Sequence, residues 1–430
     1  MRHAPIDSAL FTANRRRLVA MLPPNAVAIV HAADVLPTSG DGTLKAQPAS
    51  DLFWLSGIEQ EESVLVLCPQ ASDPGAREIL FVRQPSEQLA TWEGEKLTKE
   101  KAHGISGITK VRWLSDLPAA LHALVCESGT VWLNGNEHER AAYEVEDRDL
   151  RLARKLIQKY PLHRYERLAP LMRRLRAVKS PAEVALLRRA VDITDAGLRR
   201  VLSVLKPGVM EYELEAELAS EFLRRRSRMA YEPIIGSGKN ACVLHYLDNE
   251  AECRSGELVL IDVGASYANY CADLTRTYPV SGTFTPRQRA VYEAVLRVLT
   301  SSIARAVVGT SLRAWKRAAQ VEMAQELVGL GLITAEAAAQ DTADEPACKK
   351  YFMHGLGHSL GLGVHDIAPL DGPLEPGWVM TVEPGIYIPE ENLAVRLEND
   401  ILITEKGPVD LCQHVPIRPD EVESLLARRA

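Results

Sequence analysis

The chain has 430 residues, of which 46% are hydrophobic and 25% are charged, and its formal net charge at pH 7 is -7. This length exceeds the size at which a single hydrophobic core usually stops growing, so a globular protein of two domains is the first expectation. The negative charge argues against nucleic acid or an anionic membrane as a partner, because binding to either needs clustered basic charge.

The sequence predicts neither secretion nor a membrane span. Arg15–Arg17 resembles the basic start of a signal peptide, but Pro23, Pro24 and Asn25 interrupt the apolar residues behind it. There is no run of about 18 apolar residues that could span a bilayer. The seven cysteines are scattered and include no CxxC pair, which predicts reduced thiols in a cytoplasmic protein.

The first part of the chain has the pattern of an α/β domain. Apolar runs of strand length occur at Ala26–Val30, Ser63–Leu67, Glu78–Val82 and Thr130–Leu133. Helical spacing predicts a helix over Ser115–Leu124 and a longer basic helix from about Tyr165 to Ala177.

A strong helix start follows in the motif "KSPAE". Ser180 is predicted to be the N-cap, Pro181 the first helical residue and Glu183 the third, where its carboxylate can complete a capping box. We expect the domain boundary just before this helix. The predicted domains are residues 1–175, an α/β N-terminal domain, and residues 176–430.

The second domain contains two helix starts with the same capping pattern. The first helix is followed by an amphipathic helix at Glu211–Arg226. About a hundred residues later, "TPRQ" again supplies a cap, a proline and a capping-box residue in Thr285, Pro286 and Gln288, and the helix is predicted to run to Gly309. Each helix pair precedes strand-rich sequence with two acidic residues. This pattern predicts an internal duplication, with both halves contributing to a shared centre.

The first two acidic residues lie in the sequence "LVLIDVGASYANYCADLTRTY". Asp262 interrupts the apolar strand Leu258–Val263, and Asp273 lies in a predicted returning strand, Tyr270–Tyr278. An ionised carboxylate inside an apolar strand costs several kcal/mol unless a cation or several donors compensate. Pairing of Asp262 with Arg276 is one alternative.

An acidic residue interrupts an apolar run twice more, at Glu383 in "TVEPGIY" and at Glu398 in "VRLEND". Alternation along the last strand puts Arg396 on the same face as Glu398. Four carboxylates in one interior repel each other strongly unless positive charge compensates. Four carboxylates and one imidazole exceed what one tetrahedral zinc needs, and they suit a pair of divalent cations with bridging carboxylates.

The candidate imidazole lies in "FMHGLGHSLGLGVHD". This stretch contains three histidines, His354, His358 and His365, and four glycines, Gly355, Gly357, Gly361 and Gly363. The glycines disfavour a regular helix by about 1 kcal/mol each relative to alanine. They predict a backbone that bends or comes close to another part of the chain.

In their order and spacing, "LIDVGA", "CADLTRT", "HGLGHSLGLGVHD", "TVEPGIY" and "VRLENDI" resemble the dinuclear metallopeptidases of the pita-bread fold. The set is most similar to the branch that contains Xaa-Pro aminopeptidase (aminopeptidase P) and prolidase. "FTANRRRL" and "SDLFWLSGIEQEESVLVL" resemble the N-terminal domain of that branch. The resemblance implies an α+β fold class, with a pita-bread catalytic domain of pseudo-twofold symmetry behind an α/β N-terminal domain.

The resemblance also implies a ligand set. Asp262 would chelate one metal, Asp273 and Glu398 would bridge two metals, and His358 and Glu383 would complete the second site. Two divalent ions are expected, with manganese favoured and cobalt or zinc as alternatives. Glu383 is in addition the family's candidate for protonating the departing proline nitrogen.

Four further residues match positions near the family's substrate: His245, His354, His365 and Arg396. Support of His358 is the alternative for His354 and His365, and neutralisation of Glu398 is the alternative for Arg396. Trp92 matches a tryptophan that reaches a neighbouring subunit's pocket, with core packing as its alternative. The sequence after it, Glu93 onward, departs from the family's frequent arginines.

The implied activity is metal-dependent hydrolysis of the N-terminal Xaa-Pro bond of a peptide with proline at its second position. The alternatives are a prolidase restricted to dipeptides and a metal-free binding module of the same fold. A methionine aminopeptidase would lack an N-terminal domain of this length. The family resemblance also implies a homo-oligomer, either a dimer or a tetramer.

Overall fold

The computed structural model describes residues 3–44, 47–139, 145–369 and 371–428. The chain divides into two compact units: unit 1 comprises residues 3–176, and unit 2 begins at Ala177. Among the described residues, no helix is both long and apolar enough to cross a membrane. All seven cysteines lie within these ranges and are free thiols, as their scattered spacing predicted.

Unit 1 is built around one mixed sheet with helices. Its strands are β1 (Ala26–His31), β2 (Val64–Leu67), β3 (Glu78–Val82), β4 (Lys110–Trp113), β5 (Thr130–Leu133) and β6 (Arg164–Arg167). Its helices are α1 (Ser8–Val19), α2 (Ser50–Ser56), α3 (Glu87–Glu93), α4 (Lys99–Ser106), α5 (Leu117–Glu127), α6 (Arg148–Lys159) and α7 (Ala169–Ala177). The strand order is β4-β3-β2-β1-β5-β6, and β1 pairs antiparallel with β2 and parallel with β5.

The predicted α/β character of this part is confirmed, with one error. The four apolar runs form β1, β2, β3 and β5 with nearly the predicted bounds, and α5 matches the predicted helix. The basic helix predicted from Tyr165 is wrong at its start, because Arg164–Arg167 pairs in parallel with β5 and the helix begins at Ala169. The Tyr165 hydroxyl lies 2.8 Å from the backbone carbonyl oxygens of both Leu156 and Tyr160, which anchors it in the strand.

Trp92 does not belong to the core of unit 1. It lies in α3, and 81% of its surface is exposed. Its neighbour Glu93 pairs with Lys96 at 2.9 Å, which keeps the carboxylate beside this helix end. The core-packing alternative for Trp92 is therefore wrong.

Unit 2 contains the acidic motifs and the histidine-rich stretch identified in the sequence. Its helices are α8 (Pro181–Val204), α9 (Glu211–Arg224), α10 (Pro286–Arg305), α11 (Leu312–Gly329), α12 (Ala335–Ala339) and α13 (Pro419–Ala427). Its strands are β7 (Arg228–Met229), β8 (Ile234–Ser237), β9 (Leu258–Val263), β10 (Ala265–Tyr267), β11 (Tyr270–Cys271), β12 (Leu274–Pro279), β13 (Val379–Val382), β14 (Gly385–Ile388), β15 (Leu393–Arg396), β16 (Asn399–Thr404) and β17 (Gly407–Asp410).

The predicted duplication is confirmed in the arrangement of these elements. The helix pair α8–α9 is followed by the antiparallel sheet β12-β9-β8, and the pair α10–α11 by the antiparallel sheet β13-β16-β17. Both α8 and α10 begin with a proline and a complete capping box, at Ser180 and Thr285. These capping sequences therefore determine where both long helices begin.

The two halves meet beside the acidic residues. Glu398, between β15 and β16, donates its backbone N–H to the carbonyl oxygen of Thr275 on β12 at 3.1 Å. The Thr277 hydroxyl lies 3.0 Å from the carbonyl oxygen of Arg396, the last residue of β15. Residues from both halves of the duplication are thereby held in one place.

The predicted strand Tyr270–Tyr278 is divided into β11 and β12, and Asp273 lies in the break. The backbone N–H of Asp273 donates to Oδ2 of Asp400 on β16 at 3.2 Å. This bond ties the break between β11 and β12 to β16, which lies in the second half of the duplication.

Close approach explains two of the four glycines in the histidine-rich loop. A Cβ added to Gly357 would lie 2.0 Å from the carbonyl oxygen of Thr381, and one added to Gly361 would lie 2.1 Å from Oδ2 of Asp366. A Cβ on Gly355 would meet nothing within 4 Å. None of the four glycines has a positive φ, so close contact rather than left-handed backbone makes the glycines at 357 and 361 necessary.

We predict that Gly357→Ala destabilises the protein by about 1–3 kcal/mol, because the backbone of β13 has to move away from the added methyl group. Gly355→Ala is the matched control and is expected to change stability by less than about 0.5 kcal/mol. Thermal unfolding followed by circular dichroism measures both. Equal melting temperatures for the two variants would contradict the prediction.

Candidate metal centre

Three of the predicted ligands gather into one group. One ligand atom from each of Asp273, His358 and Glu398 lies within 4.8 Å of the others. His358 Nε2 is 3.5 Å from Asp273 Oδ2. His358 is placed by its backbone, since its N–H donates to Thr381 Oγ1 at 3.0 Å and its carbonyl oxygen accepts from the Thr381 N–H at 2.9 Å.

Glu383 lies beside this group, directly after β13. Its backbone N–H donates to the Leu356 carbonyl oxygen at 2.8 Å, which ties it to the histidine-rich loop. One carboxylate oxygen is 3.6 Å from His358 Nε2, and the other is 3.7 Å from His354 Nδ1. Glu383 therefore lies between two of the predicted site histidines.

Asp262, at the end of β9, is held by two donors. Arg396 Nη2 donates to its Oδ2 at 2.5 Å, and the Tyr231 hydroxyl lies 2.5 Å from its Oδ1. The alternative that paired Asp262 with Arg276 is wrong, because Arg276 donates to backbone carbonyl oxygens, including that of Glu398, and to the side chain of Asn399. Arg396 likewise has its close ion pair with Asp262 and not with Glu398.

Tyr231 is a site residue that the sequence analysis missed. Its hydroxyl lies 2.5 Å from Asp262 Oδ1 and also 2.5 Å from Asp273 Oδ1, so it links the two aspartates. Burial and the charges of Asp262 and Asp273 raise its pKa well above the usual value, so it remains a proton donor. No motif or periodicity marks this tyrosine, because the aspartates that it contacts are distant in the chain.

Thr275 and Tyr387 complete the network around Arg396. The Thr275 hydroxyl donates to Glu398 Oε2 at 2.7 Å and accepts from Arg396 Nε at 3.1 Å. Arg396 Nη1 donates to the Tyr387 hydroxyl at 2.8 Å. Alternation along the predicted strand Tyr270–Tyr278 puts Thr275 on the face of Asp273, and this is the sequence signal that could have identified Thr275.

His354 is neutral in this environment. Burial and the charge of Arg396 lower its pKa to about 4. Its Nδ1 lies 2.8 Å from the Gly355 carbonyl oxygen, which can only accept, so Nδ1 carries the hydrogen. Its Nε2 then accepts from the Tyr387 hydroxyl, 2.9 Å away.

The remaining two histidines are more exposed. The ring of His365 packs edge-on against that of His358, with centroids 4.2 Å apart and an interplanar angle of 88°. His245 is exposed in the segment after β8, and its electrostatic interaction with His354 is the smallest of the causes that shift the pKa of His354. The structure thus brings His354 and His358 to Glu383, and it brings His365 to His358.

The electrostatics of the group fit a divalent cation. Burial, followed by the charges of Asp273, Glu383 and Asp262, raises the pKa of Glu398 well above its usual value. Burial also raises the pKa of Glu383 to about 7, and it raises the pKa of Asp262 despite the opposing charge of Arg396. One arginine does not balance four carboxylates in a buried site. Oxygen and imidazole donors in this arrangement suit Mn²⁺, Co²⁺ or Zn²⁺.

The chain belongs to metallopeptidase family M24. It matches the family over residues 185–405, about half of its length, and it matches the aminopeptidase P N-terminal domain over residues 11–132. The family resemblance of the motifs is therefore confirmed, and so is the arrangement of an N-terminal domain before a catalytic domain. Membership also implies divalent metal ions, for which the carboxylates and His358 are the candidate ligands.

The relatives of this chain include Xaa-Pro aminopeptidase of Escherichia coli (strain K12), which is 34% identical and covers 97% of both chains. Xaa-Pro aminopeptidase 1 of Streptomyces coelicolor is 32% identical, with 98% of this chain and 88% of the relative covered. The solved structure of Escherichia coli aminopeptidase P with the inhibitor Pro-Leu matches with a TM-score of 0.89 at 33% identity, and 99% of each chain is covered.

We predict that Tyr231→Phe weakens the binding of Mn²⁺ by about 10–100-fold, because Asp262 and Asp273 lose the donor that orients both carboxylates. Tyr292→Phe is the matched control, since its buried hydroxyl donates to the carbonyl oxygen of Ile417 outside the site. Isothermal titration of the chelated proteins measures the affinities. Unchanged affinity in Tyr231→Phe would show that the phenol does not support the ligands.

The raised pKa of Glu383 predicts how the metal-free protein responds to pH. Because the folded pKa is about 7 and the ordinary value is 4.5, the folded state binds more protons than the unfolded state between these values. This contribution to stability is fully present below pH 4.5 and is lost as the pH rises through about 7. Its size is on the order of a few kcal/mol.

We therefore expect the melting temperature of chelated protein to fall from pH 5 to pH 8 by more in wild type than in Glu383→Gln. Differential scanning fluorimetry measures both proteins under the same conditions. A divalent cation is expected to reverse the decline in wild type, because it binds the ionised carboxylates. If the chelated wild type and the variant decline equally, Glu383 does not titrate as stated.

Proposed function

We propose that this chain is an Xaa-Pro aminopeptidase that uses two divalent metal ions, with manganese favoured, to cleave the N-terminal Xaa-Pro bond. The main observation in support of this proposal is that Asp273, His358 and Glu398 in unit 2 each place one ligand atom within 4.8 Å of the others. The names of full-length relatives at 32–34% identity support the same substrate class.

The residues that would hold the ions are Asp262, Asp273, His358, Glu383 and Glu398. Asp262 would hold one ion, Asp273 and Glu398 would bridge the two, and His358 and Glu383 would complete the second site. The oxygens of Asp262 accept from Arg396 and Tyr231, but a carboxylate oxygen has lone pairs for a further partner. When bound, the ions supply the Lewis-acid chemistry that activates water and polarises the scissile carbonyl group.

The protein's own residues would then transfer protons and orient the substrate. We assign Glu383 proton transfer to the departing proline nitrogen, the role that the family resemblance implies for this residue. His365 or His245 would donate a hydrogen bond to the developing oxyanion. Proline has no N–H and a fixed φ, so recognition depends on the shape of its ring and not on a backbone donor.

Arg396 favours the aminopeptidase over the prolidase alternative. A prolidase needs a group that binds the free carboxylate of a dipeptide. Arg396 is 4% exposed, and its Nε, Nη1 and Nη2 donate to Thr275, Tyr387 and Asp262. It therefore acts as an internal counter-ion that fixes Asp262, and it is poorly placed to clamp a substrate terminus.

Several expectations remain part of this proposal. The domains are residues 1–175 and 176–430, the protein works in the cytoplasm, and its partners are peptides and further copies of the chain in a dimer or tetramer. The exposed Trp92 supports a role outside the core of its own domain. The acidic net charge supports the expectation that nucleic acid and membranes are not partners.

We predict that manganese-loaded protein cleaves Arg-Pro-Pro with a kcat/KM at least about tenfold above that for Arg-Pro, and that it does not cleave Met-Ala-Ser. Chromatography of the released amino acid measures each rate, and elemental analysis of the same samples gives the metal content. A preference for Arg-Pro would favour the prolidase. Metal-loaded protein without activity on either proline peptide would favour a binding module.

A further inference from the structure

A buried ion pair lies outside the ligand set but directly behind the histidine-rich loop. The side chains of Lys179 and Asp366 are 1% and 2% exposed, and Lys179 Nζ is 3.8 Å from Asp366 Oδ2. The same ammonium group lies 3.5 Å from Ser359 Oγ. Lys179 directly precedes Ser180, the cap of α8, and its backbone N–H donates to the Gly377 carbonyl oxygen at 2.8 Å. The lysine is therefore fixed at its backbone and at its charged end.

The loop that receives this ammonium group is closed on itself. The Asp366 N–H donates to the Ser359 carbonyl oxygen at 2.8 Å, and the Gly361 N–H donates to the Gly363 carbonyl oxygen at 3.1 Å. The carbonyl oxygen of Gly361 also accepts from the Cys271 N–H at 2.8 Å. Lys179 thus contacts both ends of the closed loop, Ser359 and Asp366.

The absence of a side chain at Gly361 makes room for the pair. A Cβ at this position would lie 2.1 Å from Asp366 Oδ2 and 3.1 Å from the Cε carbon of Lys179. The loop therefore packs directly against the ion pair, and a change in the pair changes the shape of the loop.

The two ends of this loop carry two of the site histidines. His358 precedes Ser359, and His365 precedes Asp366. Their rings are packed edge-on with centroids 4.2 Å apart. A contact that fixes Ser359 and Asp366 therefore also fixes the separation of the two imidazoles.

We propose that Lys179 is a positioning residue: its buried ammonium group holds the loop Ser359–Asp366 closed and so holds His365 against His358. Stability alone does not account for the pair, because apolar residues of similar volume often replace a buried ion pair without loss of stability. The catalytic consequence rests on the proposed function of His365, whereas the geometric consequence does not.

The test separates positioning from stability with a double substitution. Lys179→Met alone removes the ammonium group beside the buried carboxylate of Asp366, so it is expected to destabilise the protein. In Lys179→Met/Asp366→Asn this carboxylate is replaced by a neutral amide with little change of shape, and the melting temperature is expected to return to within a few degrees of wild type. Arg199→Met/Asp195→Asn is the control, because this ion pair lies on α8 and its 2.8 Å contact involves no residue of the loop.

We expect the folded double variant to lose at least tenfold in kcat on Arg-Pro-Pro with a KM within about threefold of wild type, as for a group needed only in the transition state. Its metal-free crystal structure should show His365 displaced from His358, and Mn²⁺ titration should show weaker binding. The control variant should match wild type in all three measurements. A double variant with wild-type melting temperature, ring separation and kcat would overturn the inference.

The two proposals fail in different ways. If wild-type protein with bound metal cleaves no proline peptide, the proposed function fails, while the ring separation and the Mn²⁺ affinity still test the role of Lys179. If wild type is active and the double variant keeps the wild-type ring separation, only the role of Lys179 fails.

Discussion

Four carboxylates share a buried space in unit 2, and their mutual repulsion is the constraint on which the rest of this unit depends. Asp262, Asp273 and Glu398 are each less than a tenth exposed. Among the described residues, Arg396 pairs closely with Asp262, His358 lies beside Asp273 and Glu383, and Tyr231 and Thr275 supply hydroxyl donors. These groups lessen the cost of burial without cancelling it, so the site is built to receive further positive charge.

The duplicated architecture meets this constraint by dividing the carboxylates between two sheets. The first half contributes Asp262, which is paired within β9 with Thr275 and Ile234, and Asp273, which lies in the break between β11 and β12. The second half contributes Glu383, directly after β13, and Glu398, directly before β16. A position between two strands allows an acidic side chain to leave the apolar pattern without disrupting a ladder of hydrogen bonds. The backbone bond from Glu398 to Thr275 then sets the distance between the two sets.

Much of this arrangement could be predicted from local signals. The capping boxes at Ser180 and Thr285 specified both long helices, and acidic residues inside apolar runs identified the ligand candidates. The contacts of Tyr231 and the close pairing of Arg396 with Asp262 were not predictable in this way, since both depend on residues distant in sequence. The same reason explains the strand at Arg164–Arg167, where pairing with β5 outweighs a helical pattern.

The bond between the Thr275 hydroxyl and Glu398 joins residues that are 123 positions apart. No segment of the chain can assemble the centre by itself, because each half brings only part of the donors. A nascent or unfolded polypeptide therefore carries all of the peptidase motifs and none of the reactive geometry. The enzyme can hydrolyse a peptide only after the two halves have docked. Completion of folding is therefore the step that activates it.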